Sequence, residues 1–346
     1  MTRILVDLTH PAHVHFFRHS IEAWRERGHE VVLTARDKDI AVELLDRLGW
    51  AHRDLGAARS GLGGLAVELV TRTVSLSRWV RRLRPDVLTA IGGTWIAPVG
   101  RLCGVPSIVF YDTENATLSN LLTYRLATVI STPDCYAGRV PERKHLTYPG
   151  YHELAYTHPR RLTPDPGRLA AFGLDAREPF LFVRAVSWGA SHDVRDHGFT
   201  DLEAAVRRLE PYGRVVISSE GALPTALEPL RLRGPEEEVH HVLAHARLYL
   251  GESATMASES ATLGTPALFL STSVRGYTDE QGRRYGLTFT FSDRREGQEQ
   301  ALRQAVSILE DPESSRRFAA ARGRLLADKI DVTDHVVQLV ERWGAR

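Results

Sequence analysis

The strongest constraint on the fold is an alternation of short apolar runs with helical patterns along the 346-residue chain. Four segments of the first half have the composition of buried strands, with amphipathic patterns between them: RILVDL (3–8), HEVVLTA (29–35), DVLTAI (86–91) and VPSIVFY (105–111). Residues 125–131 and 144–148 supply two more short apolar runs. Such alternation predicts a parallel sheet whose strands are joined by right-handed helical crossovers.

The second half repeats this pattern after a Pro-rich, polar stretch at 149–168, which we interpret as a domain linker. Five further strands are predicted there: 180–186, 214–219, 246–253, 266–271 and 286–291. Two last helices are predicted at about 296–327 and 333–343.

The predicted fold class is therefore α/β, with two facing Rossmann-like domains and a ligand site in the cleft between them. In such sheets, ligands bind beyond the carboxyl ends of the strands. The expected domains are residues 1–150 and 151–330, followed by a C-terminal helix within 331–346.

Composition narrows the class of protein. An apolar content of 43% and a charged content of 25% are those of a globular chain, and a net charge of +1 argues against nucleic acid as a partner. No window reaches the length of a membrane-spanning helix, and the first residues lack the apolar run of a secretory signal. We expect a cytoplasmic protein in which Cys103 and Cys135 are thiols, and a homodimer is compatible with the sequence.

Three histidines follow the first strand in DLTHPAHVHFF (7–17), namely His10, His13 and His15. Histidine is the side chain best suited to proton transfer near neutral pH, so this loop predicts catalysis or substrate binding. A metal site is less favoured because no clear cluster of Cys or carboxylates lies at ligand spacing. Purely structural histidines are the remaining alternative.

Two further motifs of the first half follow strands. In IGGTWIAP (91–98), Gly93 permits close approach of a ligand and Thr94 supplies a hydroxyl, although a tight turn with Thr94 as helix N-cap explains them equally well. In FYDTENATLSN (110–120), Tyr111, Asp112 and Glu114 offer acid–base groups or partners for sugar hydroxyls. A cap on the next helix is the alternative for this cluster.

Polar residues also end the strands of the second half. Arg184 is positioned to clamp a phosphate, a role that suits its planar guanidinium group, unless it is an exposed strand-end arginine. The other binding candidates beside these strands are Ser187, Trp188, Ser219 and Glu220.

The stretch GESATMASESATLGTPALFL (251–270) joins a strand to a helix. The free N–H groups of a helix N-terminus favour an anion, so Glu252, Ser253, Ala254 and Thr255 predict a diphosphate site. Glu259 lies about one helical turn further and has a carboxylate able to bind both ribose hydroxyls. A capped helix that packs on a sheet is the structural alternative.

Together these motifs resemble the GT-B superfamily, which contains nucleotide-sugar glycosyltransferases and the non-hydrolysing UDP-N-acetylglucosamine 2-epimerases. Within that superfamily, the chain most resembles a bacterial and archaeal family described as a glycosyltransferase-like domain of unknown function. Four segments carry this resemblance: DLTHPAHVHFF, GHEVVLTAR, YPGYHELAY and ESATMASESATLGTPAL. The resemblance spans nearly the whole chain. It implies that the C-terminal helix crosses back onto the first domain.

The resemblance assigns roles to individual residues. AHVHFF is similar to the GHVFP-like loop of lipid-linked N-acetylglucosaminyltransferases, which places His13 on that loop's histidine. ESATMASESATLGTPAL is similar to the epimerase pattern DSGGxxEEAxxxGxP, so Ser253 falls on the phosphate-binding Ser and Glu259 on the ribose-binding Glu. Ala254–Thr255 replaces the Gly–Gly pair, and THPAH replaces the epimerase motif GTRPE. These departures favour sugar transfer over epimerisation.

The function expected from the sequence is a metal-independent glycosyltransferase that uses a nucleoside-diphosphate sugar, UDP-linked, and an unidentified glycan, lipid-linked or small-molecule acceptor. The expected base is His13, with Asp112 and Glu114 as the other catalytic candidates, and no cofactor is expected. A UDP-sugar 2-epimerase or hydrolase is the first alternative. A nucleotide-sugar-binding subunit of a polysaccharide or secondary-metabolite pathway is the second.

Overall fold

A computed structural model describes residues 1–37, 41–57, 61–114, 117–186, 198–273 and 275–345. The chain forms two compact units. Unit 1 comprises Met1–Tyr156 and Ile330–Arg346, and unit 2 comprises Thr157–Lys329. The first boundary lies six residues beyond the predicted Gly150, because Tyr151, Leu154 and Ala155 are buried in the structure.

Unit 1 is built on a seven-stranded sheet in the order β3-β2-β1-β4-β5-β6-β7, in which every pair of neighbours is parallel. The strands are β1 (Arg3–Leu8), β2 (Glu30–Asp37), β3 (His52–Ala57), β4 (Val87–Ile91), β5 (Ser107–Phe110), β6 (Val129–Pro133) and β7 (His145–Tyr148). The order of the strands reverses between β1 and β4. This reversal is the topological switch point, outside which open α/β sheets bind ligands.

Helices cover both faces of this sheet. The helices of the first part of unit 1 are α1 (Pro11–Glu26), α2 (Ala41–Arg47), α3 (Gly61–Leu83), α4 (Ile96–Cys103), α5 (Thr117–Leu126) and α6 (Leu154–Thr157), the last of which ends at the unit boundary. Right-handed crossovers place α1 and α2 on one face and α3, α4 and α5 on the other. Contacts of α1 with α2, and of α4 with both α3 and α5, agree with this division.

Unit 2 contains a five-stranded parallel sheet in the order β12-β11-β10-β8-β9. Its strands are β8 (Phe180–Ala185), β9 (Arg214–Ser219), β10 (Tyr249–Gly251), β11 (Ala267–Leu270) and β12 (Thr288–Phe291). Its helices are α7 (Leu202–Leu209), α8 (Val239–His245), α9 (Ala254–Leu263), α10 (Gly276–Glu280), α11 (Arg295–Glu310) and α12 (Ser314–Asp328). The switch point of this sheet lies between β8 and β10.

The final helix, α13 (Val332–Gly344), belongs to unit 1, where it packs against α1. Asp331 caps it by accepting a hydrogen bond from the Thr333 N–H, and its apolar residues Val336 and Val340 are fully buried. His335 Nε2 lies 2.9 Å from Ser131 Oγ, which joins this helix to β6 across 204 positions of sequence. Residues from the end of the chain therefore complete the first unit.

Two features differ from the sequence expectation. The predicted helix over 296–327 is two helices, α11 and α12, because Pro312 has no N–H to continue the helical ladder. The edge strand β3 was not predicted, since HRDLGA lacks an apolar run.

Among the described residues, no helix has both the length and the apolar character needed to span a membrane.

Candidate functional site

The loops that follow β1 and β4 flank the switch point of unit 1. Pro11 begins α1, and His10 is its N-cap, with a ring Nδ1 that accepts a hydrogen bond from the Ala12 N–H over 3.2 Å. His13 lies in the first turn, and its Nδ1 is 3.3 Å from Thr9 Oγ1. The rings of His10 and His13 are 5.9 Å apart, whereas the ring of His15 packs at 5.5 Å from that of Tyr156. His10 thus has a structural role in capping, and His13 is the half-buried histidine beside it.

Asp112 lies just beyond β5 at the same edge of the sheet. Its Oδ2 is 3.1 Å from Nδ1 of His152, and its Oδ1 accepts a hydrogen bond from the Thr113 hydroxyl over 2.9 Å. The His152 ring is almost fully buried and packs 4.5 Å from the ring of Phe16. Sequence reasoning missed His152, because it lies 40 positions away in the presumed linker and only the fold brings it to Asp112.

Burial by itself raises the pKa of Asp112, but favourable interactions with its neighbours outweigh this effect. The charge of His152, hydrogen bonds from His152 and Thr113, and the charge of His13 together lower the pKa of Asp112 from 3.8 to about 2. Asp112 is therefore a carboxylate throughout the neutral range. An ionised carboxylate of this kind can stabilise a histidine that becomes positively charged on accepting a proton.

Acid stability tests this electrostatic arrangement. Because the folded-state pKa lies below the ordinary value, Asp112 stabilises the fold above about pH 4, and this contribution is lost as the pH falls towards 2. We expect Asp112→Asn to lower the free energy of unfolding by about 2 kcal/mol at pH 7, with a smaller difference near pH 3. Urea unfolding at pH 7 and pH 3 measures the free energy of unfolding of both proteins. A difference between wild type and variant that is the same at both pH values would contradict the lowered pKa of Asp112.

Glu114, the second predicted carboxylate, is partly engaged by the protein itself. Its Oε1 accepts a hydrogen bond from the Ala137 N–H over 3.4 Å, and its backbone carbonyl accepts one from the Asn120 side chain. Its Oε2 is buried and accepts no hydrogen bond from the described residues. Glu114 therefore fastens the loop after β6.

The turn after β4 is held by contacts within unit 1. A Cβ on Gly93 would lie 2.6 Å from Thr123 Cγ2 and 2.7 Å from a methyl of Val109, so close packing of the chain already requires glycine there. The N-cap of α4 is Trp95, not Thr94. The Thr94 hydroxyl lies 2.5 Å from Ser119 Oγ, which is in turn 3.1 Å from the hydroxyl of the core residue Tyr111. Packing within unit 1 explains why residues of these types stand here, and their role in binding stays a prediction.

A buried ionic cluster supports the end of β1, and sequence reasoning did not identify it. Asp7 lies 2.7 Å from an Nη of Arg72, and both side chains are at most 2% exposed. Arg36 pairs with Glu68 at 2.7 Å, and the guanidinium groups of Arg36 and Arg72 lie 5.2 and 4.7 Å from the ring of Trp95. These contacts link α3 to the loops that carry His10 and Thr94.

In unit 2, Arg184 and Gly251 are register partners on β8 and β10, so they lie at the switch point. The Arg184 guanidinium donates to Ser218 Oγ over 2.7 Å and to the Glu220 carboxylate. Glu252, one residue beyond β10, accepts a hydrogen bond from the Val186 N–H over 2.8 Å. Arg184 thus points across the carboxyl edge of the sheet, where Glu220 neutralises its charge.

Helix α9 begins at the same edge, with Ser253 as its N-cap. The Ser253 hydroxyl accepts a hydrogen bond from the Met256 N–H over 3.3 Å. Ala254 and Thr255 are the first residues of the helix, so their N–H groups have no intrahelical acceptor. This geometry can bind an anion through N–H groups and the helix macrodipole. The helix ends at Gly264, whose φ of 93° favours glycine.

Glu259 is 5% exposed within α9, and its Oε1 lies 3.1 Å from Nε2 of the buried His240 on α8. The sequence predicted the carboxylate but not this partner, which lies 19 positions earlier.

Of the other predicted binding residues of unit 2, the hydroxyl of Ser219 donates to the Gly221 carbonyl. Ser187 and Trp188 fall outside the described residues.

Comparison with known proteins agrees with the resemblance found in the sequence. Residues 2–139 match the model of a family described as a protein of unknown function, DUF354. The uncharacterized protein MJ0665 of Methanocaldococcus jannaschii is 27% identical over 130 residues, an alignment that spans 38% of this chain and 38% of that relative.

Solved structures extend the similarity to the whole chain. UDP-GlcNAc 2-epimerase from Neisseria meningitidis bound to UDP-GlcNAc superposes with a TM-score of 0.68 at 12% identity, covering 98% of this chain and 100% of that one. The spinosyn forosaminyltransferase SpnP gives 0.66 at 14% identity, with 100% of both chains covered. MurG of Acinetobacter baumannii gives 0.61 at 17% identity, with 98% and 99% covered. These matches confirm the α/β, GT-B fold expected from the sequence.

Proposed function

We propose that this protein is a metal-independent glycosyltransferase that uses a nucleoside-diphosphate sugar, UDP-linked, as its donor. The observation that carries the proposal is the ionised Asp112 at the carboxyl edge of unit 1, which is paired with His152 and whose charge also interacts with that of His13. A neutral imidazole beside a carboxylate is suited to remove a proton from an acceptor hydroxyl.

Unit 2 would bind the donor. The first N–H groups of α9 and the Arg184 guanidinium can stabilise the negative charge that develops on a departing diphosphate. When no donor is bound, Glu220 compensates the charge of Arg184. On donor binding, Arg184 would release Glu220 and contact the phosphate instead. Glu259, further along α9, would bind the ribose hydroxyls.

Among the groups around Asp112, His13 is the best candidate for the base. Asp112 has a pKa of about 2 and is a poor proton acceptor near neutral pH, so its role is to stabilise the imidazolium form of His13. His152 pairs directly with Asp112 but is only 5% exposed and is stacked against Phe16. His13 is more exposed and lies at the start of α1, where a substrate hydroxyl can approach it.

The same groups favour transfer over epimerisation. A 2-epimerase requires an acid–base pair acting on opposite faces of the sugar ring. With its low pKa, Asp112 cannot donate a proton near pH 7, and Glu114 holds the loop at Ala137. These observations support transfer, which needs a proton acceptor on one side of the reacting centre only.

The test is incubation with UDP-sugars in the presence and absence of an acceptor panel that includes glycans, lipid-linked sugars and small alcohols. Release of UDP that depends on an acceptor, together with a glycosylated product, supports transfer. An epimer or glycal with free UDP in the absence of acceptor supports the epimerase. Saturable UDP-sugar binding without turnover supports a binding subunit. A thermal-shift screen of nucleotides chooses the donor first, since a ligand at about 100 times its dissociation constant adds about 2.7 kcal/mol of stability.

A further inference from the structure

The two helical layers of unit 1 differ in charge. Helices α3, α4 and α5 together contain one acidic residue, Glu68, which is buried against Arg36. The helices on the opposite face, α1, α2 and α13, carry six acidic residues: Glu22, Glu26, Glu43, Asp46, Asp334 and Glu341. The outer surface of the α3–α5 layer therefore lacks exposed acidic side chains on its helices.

Exposed arginines occupy one end of this layer. The five are Arg78, Arg81, Arg82, Arg101 and Arg125. Within the described parts of the chain, none of them has a carboxylate partner. Helices that return between parallel strands run antiparallel to them, so the last turns of α3, α4 and α5 lie at the amino edge of the sheet. This placement also suits the helix macrodipoles, but it concentrates unpaired positive charge at one edge.

The same layer exposes large aliphatic side chains. Val67, Val70 and Val74 follow one another along the outer side of α3 and are 46%, 62% and 42% exposed. Leu102 on α4 and Leu121 on α5 are 61% and 59% exposed. These five residues make up most of the exposed large hydrophobics among the described residues of unit 1, where only Met1, Leu146 and Ile330 lie elsewhere. An apolar surface bordered by arginines is therefore confined to this layer.

We infer that the outer surface of α3, α4 and α5, which we term the α3–α5 face, docks on an anionic lipid bilayer. Arginines attract anionic headgroups, and aliphatic side chains beside them can enter the acyl boundary. A second copy of the chain is disfavoured as the occupant, because a two-fold contact uses the same face on both copies, and the helices of this face offer the arginines of the other copy no exposed carboxylate. Nucleic acid is disfavoured because the centre of the face consists of aliphatic groups, which bind neither phosphates nor base edges. This docking does not depend on the proposed reaction.

Vesicle sedimentation tests the inference with the full-length protein. We expect binding to vesicles of phosphatidylcholine with phosphatidylglycerol, weak binding to pure phosphatidylcholine, and loss of binding at high salt. A cation near a charged bilayer contributes about 1 kcal/mol, so Arg78→Ser/Arg81→Ser/Arg82→Ser should lower the partition coefficient about 10²-fold. Val70→Ser/Leu102→Ser should lower it about tenfold through the loss of buried apolar surface.

The matched control is Arg207→Ser/Arg303→Ser/Arg316→Ser, which removes three exposed arginines from unit 2 and should leave binding unchanged. If the first triple variant does not fold, Arg101→Ser/Arg125→Ser tests the same edge with a smaller loss. The inference is overturned if wild-type protein ignores anionic vesicles or if the control triple weakens binding equally. It is also overturned if the wild-type protein is a dimer that Val70→Ser/Leu102→Ser dissociates. Binding of RNA, but not of anionic vesicles, to the α3–α5 face would overturn it as well.

Discussion

Replacing His13 with alanine is expected to lower turnover by about 10²–10⁴-fold while UDP affinity stays the same. The physical reason is that the acceptor hydroxyl loses its general base, whereas donor binding rests on residues of unit 2. Asp112 would remain ionised in the variant, since His152 and Thr113 still hold its carboxylate. Single-turnover kinetics and calorimetric titration with UDP measure the two quantities separately.

Two further variants show whether the effect belongs to His13. His10→Asn keeps a good N-cap for α1 and should leave turnover within a fewfold of wild type. His152→Gln removes the ionic partner of Asp112 and should shift the pH dependence of the rate without abolishing it. If His13→Ala barely changes turnover, the base is elsewhere, and Glu114 and Asp112 become the next residues to test.

Replacing Glu259 with alanine is expected to weaken UDP binding by about 1–3 kcal/mol, or roughly 5–150-fold. The proposed cause is the loss of the carboxylate that accepts hydrogen bonds from the ribose. The structure complicates this variant, because Glu259 also pairs with the buried His240 and its removal leaves that ring without this partner. A loss of stability alone would therefore not identify a ligand role.

Comparing ligands and variants separates the two roles. His240→Asn breaks the pair from its other side, so it should destabilise the fold but reduce UDP affinity much less than Glu259→Ala does. Pyrophosphate, which has no ribose, should bind wild type and Glu259→Ala equally. Equal losses of UDP affinity in both variants would mean that Glu259 only supports α9 in the core of unit 2.

Much of the secondary structure could be predicted because its causes are local. RILVDL and RVVISS are strands with the predicted bounds, since a run of apolar residues between turn signals suffices to predict a buried strand. Ser253 caps α9, and Gly264 ends it with a positive φ, as residues of these types do at helix termini. The break at Pro312 was equally local but was overlooked within a long amphipathic pattern.

The candidate site was only partly predictable. The sequence correctly indicated that polar residues end β5, β8 and β10, but not which groups they contact. Thr94 and Tyr111 carry polar groups that suggested binding, yet both hydroxyls bond to Ser119. Gly93 suggested an approaching ligand, but packing against Thr123 and Val109 already requires a residue without a side chain there. A single chain does not show which polar groups packing has already satisfied.

By itself, the sequence determined the alternation of strands and helices, the caps of α9, and hence two parallel sheets with polar loops at their carboxyl edges. These features depend on residues within a few positions of one another. The return of α13 to unit 1 was expected from the family resemblance. Only the tertiary structure decided that Asp112 meets His152, that Glu259 meets His240, and that His335 joins α13 to Ser131 of β6. Each of these contacts depends on strand order and helix packing, which bring together side chains separated by 19 to 204 positions. The periodicity of apolar residues along the chain does not predict such long-range contacts.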